Sequence, residues 1–183
     1  LRENAFLPME NSKPLAIDEL LLGEPHPPLK VSDRAENLLA TLALLRQGRS
    51  TVEVVSRHLD PPIYADPSVC EEFKRLVLDN RRARVRILIN DPEPIARSGH
   101  RLLDLARRLS SFFELRVPHP RHADYNSAFM LVDGTGLVLR EFADRYEGQV
   151  SFGDRRTGRN LGVLFDEMWD LASPDPRLRQ LSL

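Results

Sequence analysis

The sequence predicts an α/β protein: a mixed β-sheet flanked by helices on both faces. Three observations carry that expectation. Short β-branched or apolar runs recur as STVEVVS (50–56), RVRILI (84–89) and FELRV (113–117). The stretches between them place apolar residues at helical spacing. After the third run come two more strands, 127–132 and LVLRE (137–141), joined by DGTG as an antiparallel hairpin. Strands alternating with helices and followed by a hairpin make a mixed sheet covered on both sides.

Taken in order, residues 1–31 contain Pro8, Pro14, Pro25, Pro27 and Pro28, so they are expected to form an arm or linker ahead of a domain at 32–183. Within the arm, LAIDELLLG (15–23) has room for one or two helical turns. A helix is expected from about Asp33 to Gln47, with Asp33 as its cap, Glu36 three residues on and Gly48 as its stop. Its apolar stripe reads as Ala35, Leu38, Leu42 and Leu45. DPPIYADPS (60–68) reads as a proline-punctuated connection. Val69, Phe73, Leu76 and Val77 mark a helix over 69–83. Ser98 and Gly99 open another through Leu102, Leu105, Ala106 and Leu109. The last helix, about 157–172, shows Leu161, Leu164, Phe165, Met168 and Leu171 on one face and stops at SPDP.

Composition narrows the function classes. A chain of 183 residues, 42% hydrophobic and 29% charged, suits one globular domain. No apolar run approaches the ~20 residues that span a bilayer, and residues 1–30 lack the hydrophobic centre of a signal peptide, so no membrane partner is expected. A lone Cys70 forbids an internal disulfide and suits a reducing, cytoplasmic setting. The first residue is Leu, which is compatible with upstream sequence. Net charge is −1, yet Lys74 to His122 holds twelve Lys/Arg against five Asp/Glu. A basic middle of that kind suits phosphate or nucleic acid, provided Arg81, Arg82, Arg84, Arg101, Arg107, Arg108 and Arg121 share a face.

The run NSAFMLVDG (126–134) is an apolar strand closing on Asp133 and Gly134. It resembles the HxKxxxxDG strand of phospholipase D-type enzymes, with Asp133 and Gly134 in register, Asn126 in the histidine place and Ala128 in the lysine place. The order of elements over about 34–172, including LLDLARRL before the third strand and a terminal helix ending FDEMW, is similar to one half of a phospholipase D-like domain. That resemblance implies a histidine nucleophile and a phosphate-holding lysine, and neither is present. An amide has no basic nitrogen at neutral pH, and a methyl group cannot hold a phosphate oxygen. The expectation is therefore a catalytically inactive scaffold, with no catalytic residue, serving as a ligand-binding or accessory module. Such halves usually pair, so a homodimer is expected unless the sheet edge is covered otherwise.

Candidate ligand-binding residues follow from the strand ends, where ligands gather in open α/β sheets. They are Arg57, His58 and Asp60 after the first strand, and Asn90 and Asp91 after the second. His100 and Arg101 stand at a helix start. His119, Arg121, His122 and Asn126 precede the motif strand, and Asp133 ends it. Residual phosphodiesterase chemistry would have to use His122 or His119; with His122 in the histidine place, Asp124 two residues on would take the lysine place, where it would repel phosphate. His119, His122 and Asp124 lack the spacing of a metal site, so neither metal nor cofactor is expected. LLRQGRSTVEVVSRHLDPPIY, ARVRILINDPEPIARSGHRLLDLARRLSS and LFDEMWDLASPDPRLRQLSL together resemble an uncharacterised bacterial domain family. Its members occur alone or behind a GNAT-type acetyltransferase domain, which would make such a domain the upstream partner.

Overall fold

The structure, a computed structural model, describes residue 17 and residues 19–179. The central sheet is built from β2 (Thr51–Ser56), β3 (Arg84–Ile89) and β4 (Phe113–Arg116), which run parallel, and from the antiparallel β5 (Ala128–Val132), β6 (Gly136–Arg140) and β7 (Gly148–Ser151). A short β1 (Leu29–Val31) pairs antiparallel with β7. Strand order is β1-β7-β6-β5-β2-β3-β4. One face carries α1 (Arg34–Gln47), α3 (Pro67–Asp79) and α5 (Arg101–Arg108) over the larger apolar core. The other carries α6 (Arg155–Leu171) over a smaller one built on Phe129, Leu131, Phe165, Met168 and Trp169. Three short helices, α2 (Pro61–Tyr64), α4 (Glu93–Ser98) and α7 (Pro176–Arg179), complete the described chain.

Strand direction gives the sheet two poles. At the carboxyl pole β2, β3 and β4 finish, and the loops 57–60, 90–92, 117–127 and 141–147 gather there. The amino pole collects the turns that lead from α1, α3 and α5 into the next strand, the β5–β6 turn and the start of α6.

Both edges of the sheet are blunted, which an exposed strand needs to avoid pairing with another chain. On the β4 side, Val117 and Ser173 exchange backbone hydrogen bonds (2.8 and 3.0 Å), and α7 follows directly. On the other side β1 has three residues, includes exposed Lys30, and is preceded by Pro27 and Pro28.

Several local expectations change in the folded chain. α1 buries Asn37, Ala40, Thr41, Leu42, Leu44 and Leu45, whereas Leu38 is half-buried and Ala35 exposed. Polar Asn37 enters the core because its Nδ2 donates to the Asp33 and Tyr146 carbonyls (2.8 and 2.5 Å), so the buried face keeps Leu42 and Leu45 of the expected stripe but takes Asn37 and Thr41 in place of Ala35 and Leu38. In α6, Trp169 replaces Leu171 on the buried face. It stacks on Phe165 at 5.4 Å, while Leu171 is exposed. The 60–68 connection contains α2, and α4 precedes α5 where only a loop was expected. β7, written GQVS, is too short and polar to announce itself. β1 lies in what reads as the proline-rich arm. The described residues of 15–23 form turns rather than helix, and residues 15, 16 and 18 lie outside the described chain, as does the rest of the arm before residue 17.

Candidate functional site

Asp133 is the residue on which the motif register rests, and its work is structural. With φ of 49° at Asp133 and 70° at Gly134, the pair takes left-handed backbone in the three-residue β5–β6 turn, closed by Thr135 N–H donating to the Val132 carbonyl at 3.1 Å. The Asp133 carboxylate accepts three backbone N–H groups, from Arg49, Ser50 and Thr51, each at 2.8 Å. It thereby fastens the α1–β2 turn to the hairpin. This is the amino pole, the end of β5 away from Asn126.

Asn126 stands at the carboxyl pole. Its Oδ1 accepts from Arg57 Nη2 at 2.5 Å, and its backbone carbonyl accepts from Ala143 N–H at 2.7 Å. Two residues on, the buried methyl of Ala128 pairs across the sheet with Arg140 of β6. A cation thus does reach the face where a lysine at 128 would project, but from the neighbouring strand, and it is already engaged. Arg140 is ion-paired with Asp60, gives Nη1 to the Arg145 carbonyl at 3.1 Å and lies over the Tyr146 ring at 5.7 Å. Buried Tyr64 belongs to the same cluster: burial, only partly offset by Arg140, pushes its phenol well above the ordinary range.

The loop after β2 is held from several sides. Ser56 Oγ donates to Asp60 Oδ2 (3.2 Å) and accepts from Leu59 N–H (3.0 Å). Leu59 sits at φ 55°, a conformation disfavoured for a bulky side chain, so the loop stores local strain that its contacts must hold. His100 is one of those contacts. It is buried, and its Nε2 lies 2.9 Å from the Leu59 carbonyl, while Nδ1 has no partner. Burial is the larger influence on its ring and lowers the pKa below the usual histidine value, although Asp104 and Asp60 act in the other direction. His58 Nδ1 lies 3.5 Å from Asp91 Oδ2.

The structure therefore brings together Arg57 with Asn126, His58 with Asp91, and the Asp60 loop with His100. Asn90 stands half-buried beside them at the end of β3. His119 uses Nδ1 to accept from Arg121 N–H at 3.2 Å, capping a 3₁₀ turn at 120–122. His122 has its Nε2 buried without a hydrogen-bond partner. Arg101 is exposed on α5, and Asp133 is at the far pole. Among the described residues no group of three or more His, Cys, Asp or Glu side chains converges as metal ligands, and no helix is long and apolar enough to cross a membrane. Sequence reasoning did not nominate Arg140, Ser56 or Tyr64 as members of the cluster. The available signal was that Ala128 is paired across a hairpin with a strand ending in arginine.

The basic segment 74–122 does not form a single face. Arg81, Arg82, Arg84, Arg107 and Arg108 lie at the amino pole, whereas Arg101 and Arg121 lie at the carboxyl pole. Arg86 and Arg116 turn to the α6 face, where Arg86 pairs with Glu53 and Asp166 and both guanidinium groups stack on Trp169.

Comparison with solved structures gives this fold a name. The chain is similar to TrmBL2, described as an archaeal chromatin protein with a novel mode of DNA binding (TM-score 0.58, 17% identity, 82% of this chain and 54% of that one). It therefore spans about half of TrmBL2. It is also similar to Nuc from Salmonella typhimurium, a phospholipase D family member (0.54, 12%, 80% and 97%), and to NucT from Helicobacter pylori (0.52, 11%, 81% and 99%). At these identities the likeness establishes the fold, which is phospholipase D-like. No curated protein matches the sequence. A family model described as "Domain of unknown function (DUF7931)" matches residues 33–181.

Proposed function

Since the chain belongs to this family of domains of unknown function, DUF7931, we propose that it is a catalytically silent phospholipase D-like scaffold whose carboxyl pole binds a small anionic ligand as an accessory or regulatory module. One observation carries the reading. The place of the nucleophile holds an amide bonded to Arg57, and the guanidinium nearest the place of the phosphate-holding lysine is neutralised by Asp60. Histidine chemistry from His122 has little support, because the ring nitrogen that would attack is buried. Arg57 forms no ion pair among the described residues, is exposed, and is oriented by Asn126, so it is the group on this pole best able to receive an oxyanion.

Such a module would act on an attached or associated enzyme, and an upstream acetyltransferase domain is one arrangement consistent with it. Both sheet edges are blunted, which favours a monomer or a partner docked elsewhere over sheet-to-sheet pairing. Titration of the protein with inorganic phosphate, followed by amide NMR, tests the site. Shifts are expected at Arg57, Asn126 and Asp91, lost in Arg57→Ala. Shifts confined to other surfaces would overturn the assignment.

A further inference from the structure

The amino pole, opposite the candidate ligand site, gathers cations that are far apart in sequence. Arg49 follows α1, Arg81 and Arg82 form the turn after α3, Arg84 opens β3, Arg108 ends α5 and Arg155 opens α6. All six are exposed, and none forms an ion pair among the described residues. Of the acids at this pole, Asp133 is occupied by three backbone N–H groups, Asp79 by Arg75, and Asp154 by the Thr157 N–H of the α6 cap, while exposed Glu19 and Glu24 stand beside the end of α1 and the start of α6 and leave the six arginines in excess. Between the turns runs a groove of about 810 Å³, lined in part by Arg46, Arg49, Arg75 and Asn80. At the carboxyl pole, by contrast, arginines alternate with Asp60, Asp91, Glu93, Asp124, Glu141 and Asp144. The chain's net charge of −1 therefore conceals a basic end.

We infer that this basic pole is a docking surface for double-stranded nucleic acid, held through its phosphates without base readout. Three features favour that partner. The cations are all arginines, whose planar guanidinium matches phosphate bidentately. They lie on the turns of both faces of the sheet, a breadth suited to the two strands of a duplex rather than to one small anion. Among the described residues no exposed aromatic side chain stands beside them to provide the stacking that single strands use. An anionic membrane is the competing partner, and among the described residues the pole exposes only the separate Leu21 and Leu78 rather than the broad apolar face that interfacial insertion requires. The inference is independent of catalytic silence, because it uses the other end of the molecule.

The test is fluorescence anisotropy of a labelled 24-base-pair duplex with the full chain, from 50 to 200 mM salt. Neutralising about five phosphates should give a slope of about −4.5 in log K against log salt. Arg49→Glu/Arg81→Glu/Arg82→Glu should weaken binding at least tenfold at 50 mM salt, with circular dichroism verifying its fold. Arg97→Glu/Arg145→Glu, at the carboxyl pole, should leave binding within about twofold. The inference is overturned if the duplex does not bind at 50 mM salt, or if the two variants weaken it equally. It is equally overturned if phosphatidylglycerol vesicles bind while the duplex does not.

Discussion

Asp60 and Arg140 form the most deeply buried ion pair among the described residues. Side-chain exposures of 19% and 7% put both charges largely out of water, where each is tolerable chiefly because of the other. Ser56 Oγ donates to the same Asp60 Oδ2 that Arg140 binds, and the Arg145 carbonyl accepts from Arg140 Nη1. Asp60→Asn would leave the guanidinium buried beside a neutral amide. A loss of about 3 kcal/mol in unfolding free energy is expected, since breaking a buried pair from one side costs about 3–5 kcal/mol and the amide keeps some hydrogen bonding. Urea denaturation of the parent and variant measures it, and a loss under about 1 kcal/mol would show that the pair is not the clamp described.

At the scale of elements, the β2–α2 loop is fastened to the start of α5 by His100 and the Leu59 carbonyl. Burial lowers the folded pKa of His100 below the unfolded value of about 6.5. The unfolded chain therefore binds more protons in the window between the two values. Stability from this residue is fully present above about pH 6.5 and is lost as pH falls towards the lowered folded value. His100→Gln should flatten that part of the stability profile relative to the parent, and equal slopes in both proteins would contradict it.

The elements also show how far the sequence could be read. Strands β2 to β6 and helices α1, α3, α5 and α6 were legible because alternation, apolar spacing and the DG turn all agree locally. β1, β7, α2 and α4 have three to six residues each, too few for a period to register, and they exist through pairing or packing with distant chain. The site was half legible. Strand-end residues such as Arg57, Asp60, Asp91 and Asn126 follow from topology. The Asp60–Arg140 pair and the buried orientation of His100 depend on tertiary approach across 80 and 41 residues.

For the molecule as a whole, two poles divide the roles. At the carboxyl pole polar groups turn on one another, Arg57 on Asn126 and Arg140 on Asp60, and the amino pole collects arginines from turns on both faces. Asp133 belongs to the amino pole and ties the α1–β2 turn to the hairpin, a structural role that does not depend on catalysis. The central claim is silence at the Asn126 pole. Release of p-nitrophenol from bis(p-nitrophenyl) phosphate, by the purified protein and by His122→Ala, tests it most directly. Rates indistinguishable from buffer in both are expected; turnover by the parent that His122→Ala abolishes would contradict it.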